Sequence, residues 1–166
     1  FHKAGVPSSV LQLLLGSGSK IGSLLIEDTR ISGIAFTGST ATALGINYQL
    51  AKRAGGPVPF IAETGGQNCM VVDSTALPEQ VVDDVITSAF LSAGQRCSAL
   101  RVLYIQDDIA DKVLVMLKGA MNSMYAGDPC LLSNDMGPVI DCGAATELYN
   151  HIERMNKEAT LIAKVE

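Results

Sequence analysis

Apolar residues run through this chain in two rhythms. Short unbroken or alternating runs, the signature of strands, occur at VLQLLL (10–15), SGIAFTG (32–38), PFIAET (59–64), CMVV (69–72), LRVLYI (100–105) and ATLIAKV (159–165). Between them the spacing becomes helical. GSGSKIG (16–22) leads into a short helix reaching about Ile26, and residues 39–55 form a helix stopped by Gly55 and Gly56 before Pro57. Pro78 opens a third helix, with Val81, Val82, Val85, Ile86, Ala89, Phe90 and Ala93 on one face. A fourth runs from about Asp107 to Met124, and a fifth follows MGPVID (136–141) as far as about Met155. Strands alternating with helices predict an α/β architecture with parallel strands.

Composition changes the picture in one respect. Of 166 residues, 48% are hydrophobic and only 17% charged, with no tryptophan and a mean hydropathy of +0.28. A chain this short and this poor in charge is expected to turn apolar surface toward something else: the remainder of a parent chain, or further copies in a homo-oligomer. FHKAGVPSS at the start lacks an initiator methionine and reads as the last turn of a helix entering a loop, so an internal fragment is expected. The net charge of −5, from 12 basic and 17 acidic residues without a basic cluster, argues against nucleic-acid contact. No apolar run is long enough to span a membrane, and no signal peptide opens the chain. Four cysteines (Cys69, Cys97, Cys130, Cys142) contain no CxxC pair, which speaks against a disulfide framework or zinc site and for a reducing, cytoplasmic setting. His2 and His151 stand alone and indicate no metal.

Four stretches could carry chemistry. GSGSKIG places Gly16, Gly18 and Gly22 between a predicted strand and a helix. It is either a tight turn or a cradle in which the helix N-terminus meets a diphosphate. FTGST (36–40) repeats the design, with Ser39 or Thr40 available to cap the next helix. Two such turns at the carboxyl ends of parallel strands would lie where α/β folds bind ligands. AETGGQN (62–68) leaves Glu63 at the end of an apolar strand, as a loop acid or as a general base in a cleft. In GQRCSA, Cys97 is either a packed thiol or a nucleophile needing activation; Arg96 is the adjacent positive charge, and the other three cysteines, lacking that setting, are expected to be structural.

Taken in order, FTGST, ETGGQN, GQRCSA and GDP…MGPVID resemble the aldehyde dehydrogenase superfamily. Cys97 falls 34 positions after Glu63 and Gly38 falls 20 after Gly18, separations that match the family's nucleophile and base and its two cofactor turns. The threonine of ETGGQN and the run GQRCSALRVLYIQDD are similar to L-glutamate-γ-semialdehyde (Δ1-pyrroline-5-carboxylate) dehydrogenases, including the aldehyde dehydrogenase domains of bifunctional proline utilisation A proteins.

The resemblance implies a fragment of the aldehyde dehydrogenase fold, with residues 1–66 from an NAD-binding, Rossmann-like domain and 67–166 from the catalytic domain. It implies NAD as cofactor and a small aldehyde as substrate. Cys97 would be the nucleophile, its backbone amide a donor to the oxyanion, and Glu63 the base for hydrolysis. Gly38 and Ser39 would touch the pyrophosphate, with Gly18, Ser19 and Thr42 toward the adenosine. Thr64 and Gly65 would lie against the nicotinamide half, and Ser98 would meet the substrate α-carboxylate. The family's second oxyanion donor, its ribose-binding lysine, its Glu-x-Phe-Gly-Pro segment and its late glycine-rich loop have no counterpart here. The parent is therefore expected to be an enzyme and this piece alone to be inactive. Two other readings stay open: a superfamily member acting on another aldehyde, and a non-catalytic dinucleotide-binding or assembly module.

Overall fold

A computed structural model describes residues 1–165. The chain divides into two compact units, Phe1–Gly65 and Gly66–Glu166.

In the first unit, β1 (Ile34–Gly38) and β2 (Phe60–Thr64) pair in parallel, from Ile34 opposite Phe60 to Gly38 opposite Thr64. A parallel pair needs a crossover, and α2 (Thr40–Lys52) supplies it. α1 (Gly18–Glu27) packs on α2, burying Ile26 and Ala43. Arg53, just past α2, ties the two helix ends together. Its Nη1 donates to the carbonyls of Asp28 (3.0 Å) and Ile26 (3.4 Å), and Nη2 to that of Ile31 (3.1 Å). The carbonyls at the end of α1 and in the following turn thereby gain donors. Beside them, hydrogen bonds from Arg30 hold the Asp28 carboxyl down to about pH 2.

In the second unit, β3 (Asn68–Val72) and β4 (Leu100–Ile105) form another parallel pair. Asn68 pairs with Leu100 but Cys69 with Val102, so the ladder skips Arg101. The crossover begins with α3 (Pro78–Ala89), where proline at the first turn and Glu79 beside it suit a helix N-terminus. α3 and α4 (Asp107–Asn122) cover the pair around Val72, Val81, Val82, Val85, Leu100 and Val113. α5 (Cys142–Glu158) starts on Asp141, whose Oδ1 accepts from the Ala144 amide at 2.8 Å.

The α/β class and parallel strands match the expectation from sequence, and three elements differ. Residues 10–15 form no strand: a turn ends at Val10, and the rest runs unpaired with Leu13 80% and Leu15 82% exposed. Residues 159–165 are likewise without a ladder. β-propensity extends a chain, but only a neighbouring edge makes it a strand, and each pair here is two-stranded. The third helix ends at Ala89 rather than Ala93, because Ser92 and Ala93 take left-handed backbone angles.

Val113 is 0% exposed, whereas Val115 on the same helix is 73% exposed. In urea unfolding, Val113→Ala is expected to lower stability by about 1–3 kcal/mol and Val115→Ala by less than about 0.5 kcal/mol. Because folding lowers the Asp28 pKa from 3.8 to about 2, the stability it confers is present above about pH 4. It is lost as pH falls through about 2, so Asp28→Asn should flatten that acid limb in pH-dependent unfolding curves.

Candidate active site

The first unit carries a strand-to-helix turn. Gly38 ends β1 and Ser39 caps α2: its Oγ accepts from the Thr42 amide at 3.1 Å and lies 2.9 Å from Thr42 Oγ1. Ser39 and Thr42, picked out from sequence, thus form one cap. Across the ladder Gly38 faces Thr64 and Thr37 faces Glu63, so Glu63, Thr64 and Gly65 emerge beside the start of α2. Glu63 is exposed, and its carboxylate has no hydrogen-bond or ionic partner among the described residues. A β-carbon on Gly38 would stand 2.5 Å from the Phe36 ring, so a side chain there must displace that ring. The second turn is looser. Gly18 begins α1, Ser19 Oγ donates to Ser17 Oγ at 3.3 Å, and a β-carbon on Gly18 would meet open space.

In the second unit the segment between α3 and β4 shapes the thiol's surroundings. Ser92 (φ 58°), Ala93 (φ 52°) and Gly94 (φ 65°) are left-handed in succession. For serine and alanine that conformation costs roughly 1–2 kcal/mol each, so it persists only where neighbours enforce it. The enforcing groups are identifiable. Arg101 Nη2 donates to the Gly94 carbonyl at 2.7 Å. Gln95 Nε2 donates to the carbonyls of Ser92 (3.1 Å) and Pro138 (3.3 Å), while its Oε1 accepts from the Ile140 amide at 2.7 Å. The Ser88 hydroxyl accepts from the Leu100 amide at 3.2 Å.

After this turn the Ala99 amide donates to the Arg96 carbonyl at 3.2 Å, closing a β-turn with Cys97 and Ser98 at its centre. Ala99 is buried; Cys97 and Ser98 are exposed. Asn68 Nδ2 donates to the carbonyls of Cys97 (2.7 Å) and Ala99 (2.9 Å) from the opposite strand. The amides of Cys97 and Ser98 donate to no acceptor among the described residues. A thiol on a fixed turn, with free amides at and beside it, can add to an electrophilic carbon and stabilise the resulting oxygen anion.

Two expectations change. Arg96 does not serve as a free charge for the thiol; its Nη2 donates to the carbonyls of Thr87 (2.8 Å) and Ser88 (2.9 Å), capping the end of α3. Cys69, Cys130 and Cys142 are exposed rather than packed, so Cys97 is distinguished by its frame and not by exposure. Sequence reasoning missed Asn68, Ser88, Gln95 and Arg101. The side-chain amides of Asn68 and Gln95 stand inside AETGGQN and GQRCSA, but the acceptors they find are backbone carbonyls that no residue pattern marks. No group of metal-ligating side chains occurs among the described residues.

Paired parallel strands with helical crossovers define an α/β protein, with a serine-capped turn at a carboxyl edge in one unit and an exposed thiol on a turn in the other. The chain matches the aldehyde dehydrogenase family over residues 1–164 and belongs to it. It is 53% identical over 159 residues to the bifunctional protein PutA of Escherichia coli, covering 94% of this chain and 12% of that one. To the 1-pyrroline-5-carboxylate dehydrogenase of Geobacillus thermodenitrificans it is 36% identical, over 97% of this chain and 32% of the relative. A mutant proline utilization A protein from Bradyrhizobium japonicum superposes with a TM-score of 0.93 at 52% identity, covering 98% of this chain and 17% of that one. Betaine aldehyde dehydrogenase from Staphylococcus aureus, in complex with NAD+, gives 0.86 at 25% identity, covering 95% and 30%. The chain thus spans between about an eighth and a third of these relatives.

A β-carbon on Gly94 would lie 2.7 Å from the Ala89 carbonyl oxygen, at a φ that disfavours any side chain. Gly94→Ala is expected to destabilise the second unit by about 2 kcal/mol or more and to speed amide exchange across residues 91–99, read by mass spectrometry.

Proposed function

We propose that this chain is the nucleophile-bearing part of an NAD-dependent dehydrogenase that oxidises L-glutamate γ-semialdehyde to L-glutamate, the second step of proline catabolism. The observation that carries this reading is the exposed Cys97 at the centre of a rigid turn, its own amide free, in a chain about half identical to PutA.

Residues 1–66 would belong to the cofactor domain and 67–166 to the catalytic domain. The first unit's residues fit a dinucleotide: Gly38 and Ser39 at the head of α2 would hold the pyrophosphate, where a helix N-terminus favours an anion. Gly18, Ser19 and Thr42 would lie on the adenosine side, with Thr64 and Gly65 toward the nicotinamide. Bound NAD supplies the hydride acceptor. The Cys97 thiolate adds to the aldehyde carbon, and the Cys97 amide donates to the oxygen that becomes anionic. The Glu63 carboxylate takes a proton from the water that hydrolyses the thioester, freeing the thiol and a carboxylate product. The Ser98 hydroxyl donates to the substrate α-carboxylate. Since the full family site draws on more of the parent chain, the 166-residue piece alone should not turn over. A cytoplasmic location and assembly of the parent with further copies complete the reading.

In the full-length enzyme, Cys97→Ala should lower NADH formation from glutamate semialdehyde more than about 10⁴-fold. Glu63→Gln should slow steady turnover by about 10²–10⁴-fold and leave a burst of NADH near one per site. Retained turnover in Cys97→Ala overturns the nucleophile role of that thiol, whereas iodoacetamide labelling of Cys97 no faster than of the other thiols points to a non-catalytic binding module. The fold likeness to betaine aldehyde dehydrogenase favours a second reading, another aldehyde as substrate, and comparing kcat/KM over an aldehyde panel decides it.

A further inference from the structure

The peptide joining Cys97 to Ser98 is the central peptide of the turn closed by the Ala99 amide and the Arg96 carbonyl. In β-turns this is the peptide whose rotation interconverts types I and II, a change of about 150° in ψ of the preceding residue. Here the preceding residue is Cys97. The Cys97 carbonyl accepts at 2.7 Å from Asn68 Nδ2, which also donates to the Ala99 carbonyl at 2.9 Å. Both targets are acceptors, so only the NH₂ edge of the amide can face them, and each of its two hydrogens has a place. Because carbonyl and N–H point oppositely across a trans peptide, fixing the Cys97 oxygen also fixes the direction of the Ser98 amide. That amide has no acceptor among the described residues. A flipped peptide would put an acceptor oxygen where a donor now points and reverse the dipole beside the thiol.

We propose that Asn68 is a positioning residue that locks the Cys97–Ser98 peptide in one orientation and so presents the thiol for attack. The proposal rests on Cys97 being the nucleophile. Asn68 is suited to the task because it opens β3 and is anchored there by pairing with Leu100, so its side chain starts from a fixed backbone. An aspartate of the same shape would set a carboxylate against two carbonyl oxygens, and alanine would leave both without their donor.

The test compares Asn68→Asp and Asn68→Ala with the wild type in the full-length enzyme. We expect kcat per folded site to fall about 100-fold, with KM for aldehyde and for NAD within about threefold, since the lock acts on the reacting group and not on binding. Iodoacetamide alkylation of Cys97 without substrate should slow in parallel. The proposal falls if kcat in either folded variant stays within about threefold of wild type, or if activity is lost only in proportion to the folded fraction seen in thermal unfolding. It falls equally if neither variant folds, because the fork is then structural. Turnover surviving Cys97→Ala overturns the nucleophile reading itself, whereas a dead Cys97→Ala beside a fully active Asn68→Ala overturns only the lock.

Discussion

The parallel ladder between β3 and β4 is the constraint on which the second unit's site depends. Parallel strands cannot be joined by a tight turn, so the chain must leave β3, cross over through α3 and return to the start of β4. The return brings the segment from Leu91 to Ala99 beside the first residue of β3. Asn68 opposite Leu100 is the first rung, and its side chain reaches back over the turn that precedes β4. The skipped residue, Arg101, departs from the regular ladder and its guanidinium bonds the Gly94 carbonyl. One irregular rung therefore accompanies both holds on the loop, a donor on each side of the thiol's turn.

Polar side chains in this region act mainly on backbone carbonyls. Asn68, Gln95, Arg96 and Arg101 together engage the carbonyls of Thr87, Ser88, Ser92, Gly94, Cys97, Ala99 and Pro138. That pattern follows from the left-handed turn, which diverts the chain out of helical bonding at Ala89 and leaves carbonyls to be satisfied elsewhere. Arg53 plays the corresponding part in the first unit, bridging the end of α2 to the carbonyls around α1's end. The planar guanidinium suits such work because its donors diverge in a fixed fork.

Each unit holds only a two-stranded sheet, and several apolar side chains stand in the open, Val71 at 77% exposure and Leu132 at 106% among them. Isolated parallel pairs of this size are marginal in water. The expectation of apolar surface drawn from the low charge fraction agrees with these side chains. The segments 10–15 and 159–165, strand-like in composition and unpaired, fit the same picture. The chain spans 12% of the Escherichia coli PutA it resembles, so much of any complete site in such a protein would come from other segments.

By itself the sequence determined the alternation of strands and helices, a hydroxyl cap at Ser39 or Thr40, the apolar face of α3 and the ordered motifs that mark the family. These are local matters, written in residue type and spacing, and Ser39 reaches Thr42 within a single helical turn. It also marked Cys97 as the thiol worth attention. Only the tertiary structure decided that α3 stops early in a left-handed turn, that Arg96 is committed to helix carbonyls, and that Asn68 grips the Cys97 peptide. The physical reason is that these bonds join residues distant along the chain, such as Asn68 and Cys97 or Gln95 and Ile140, through backbone atoms every residue possesses. Composition carries no trace of which carbonyl a donor will find; the ladder and the crossover bring them within reach.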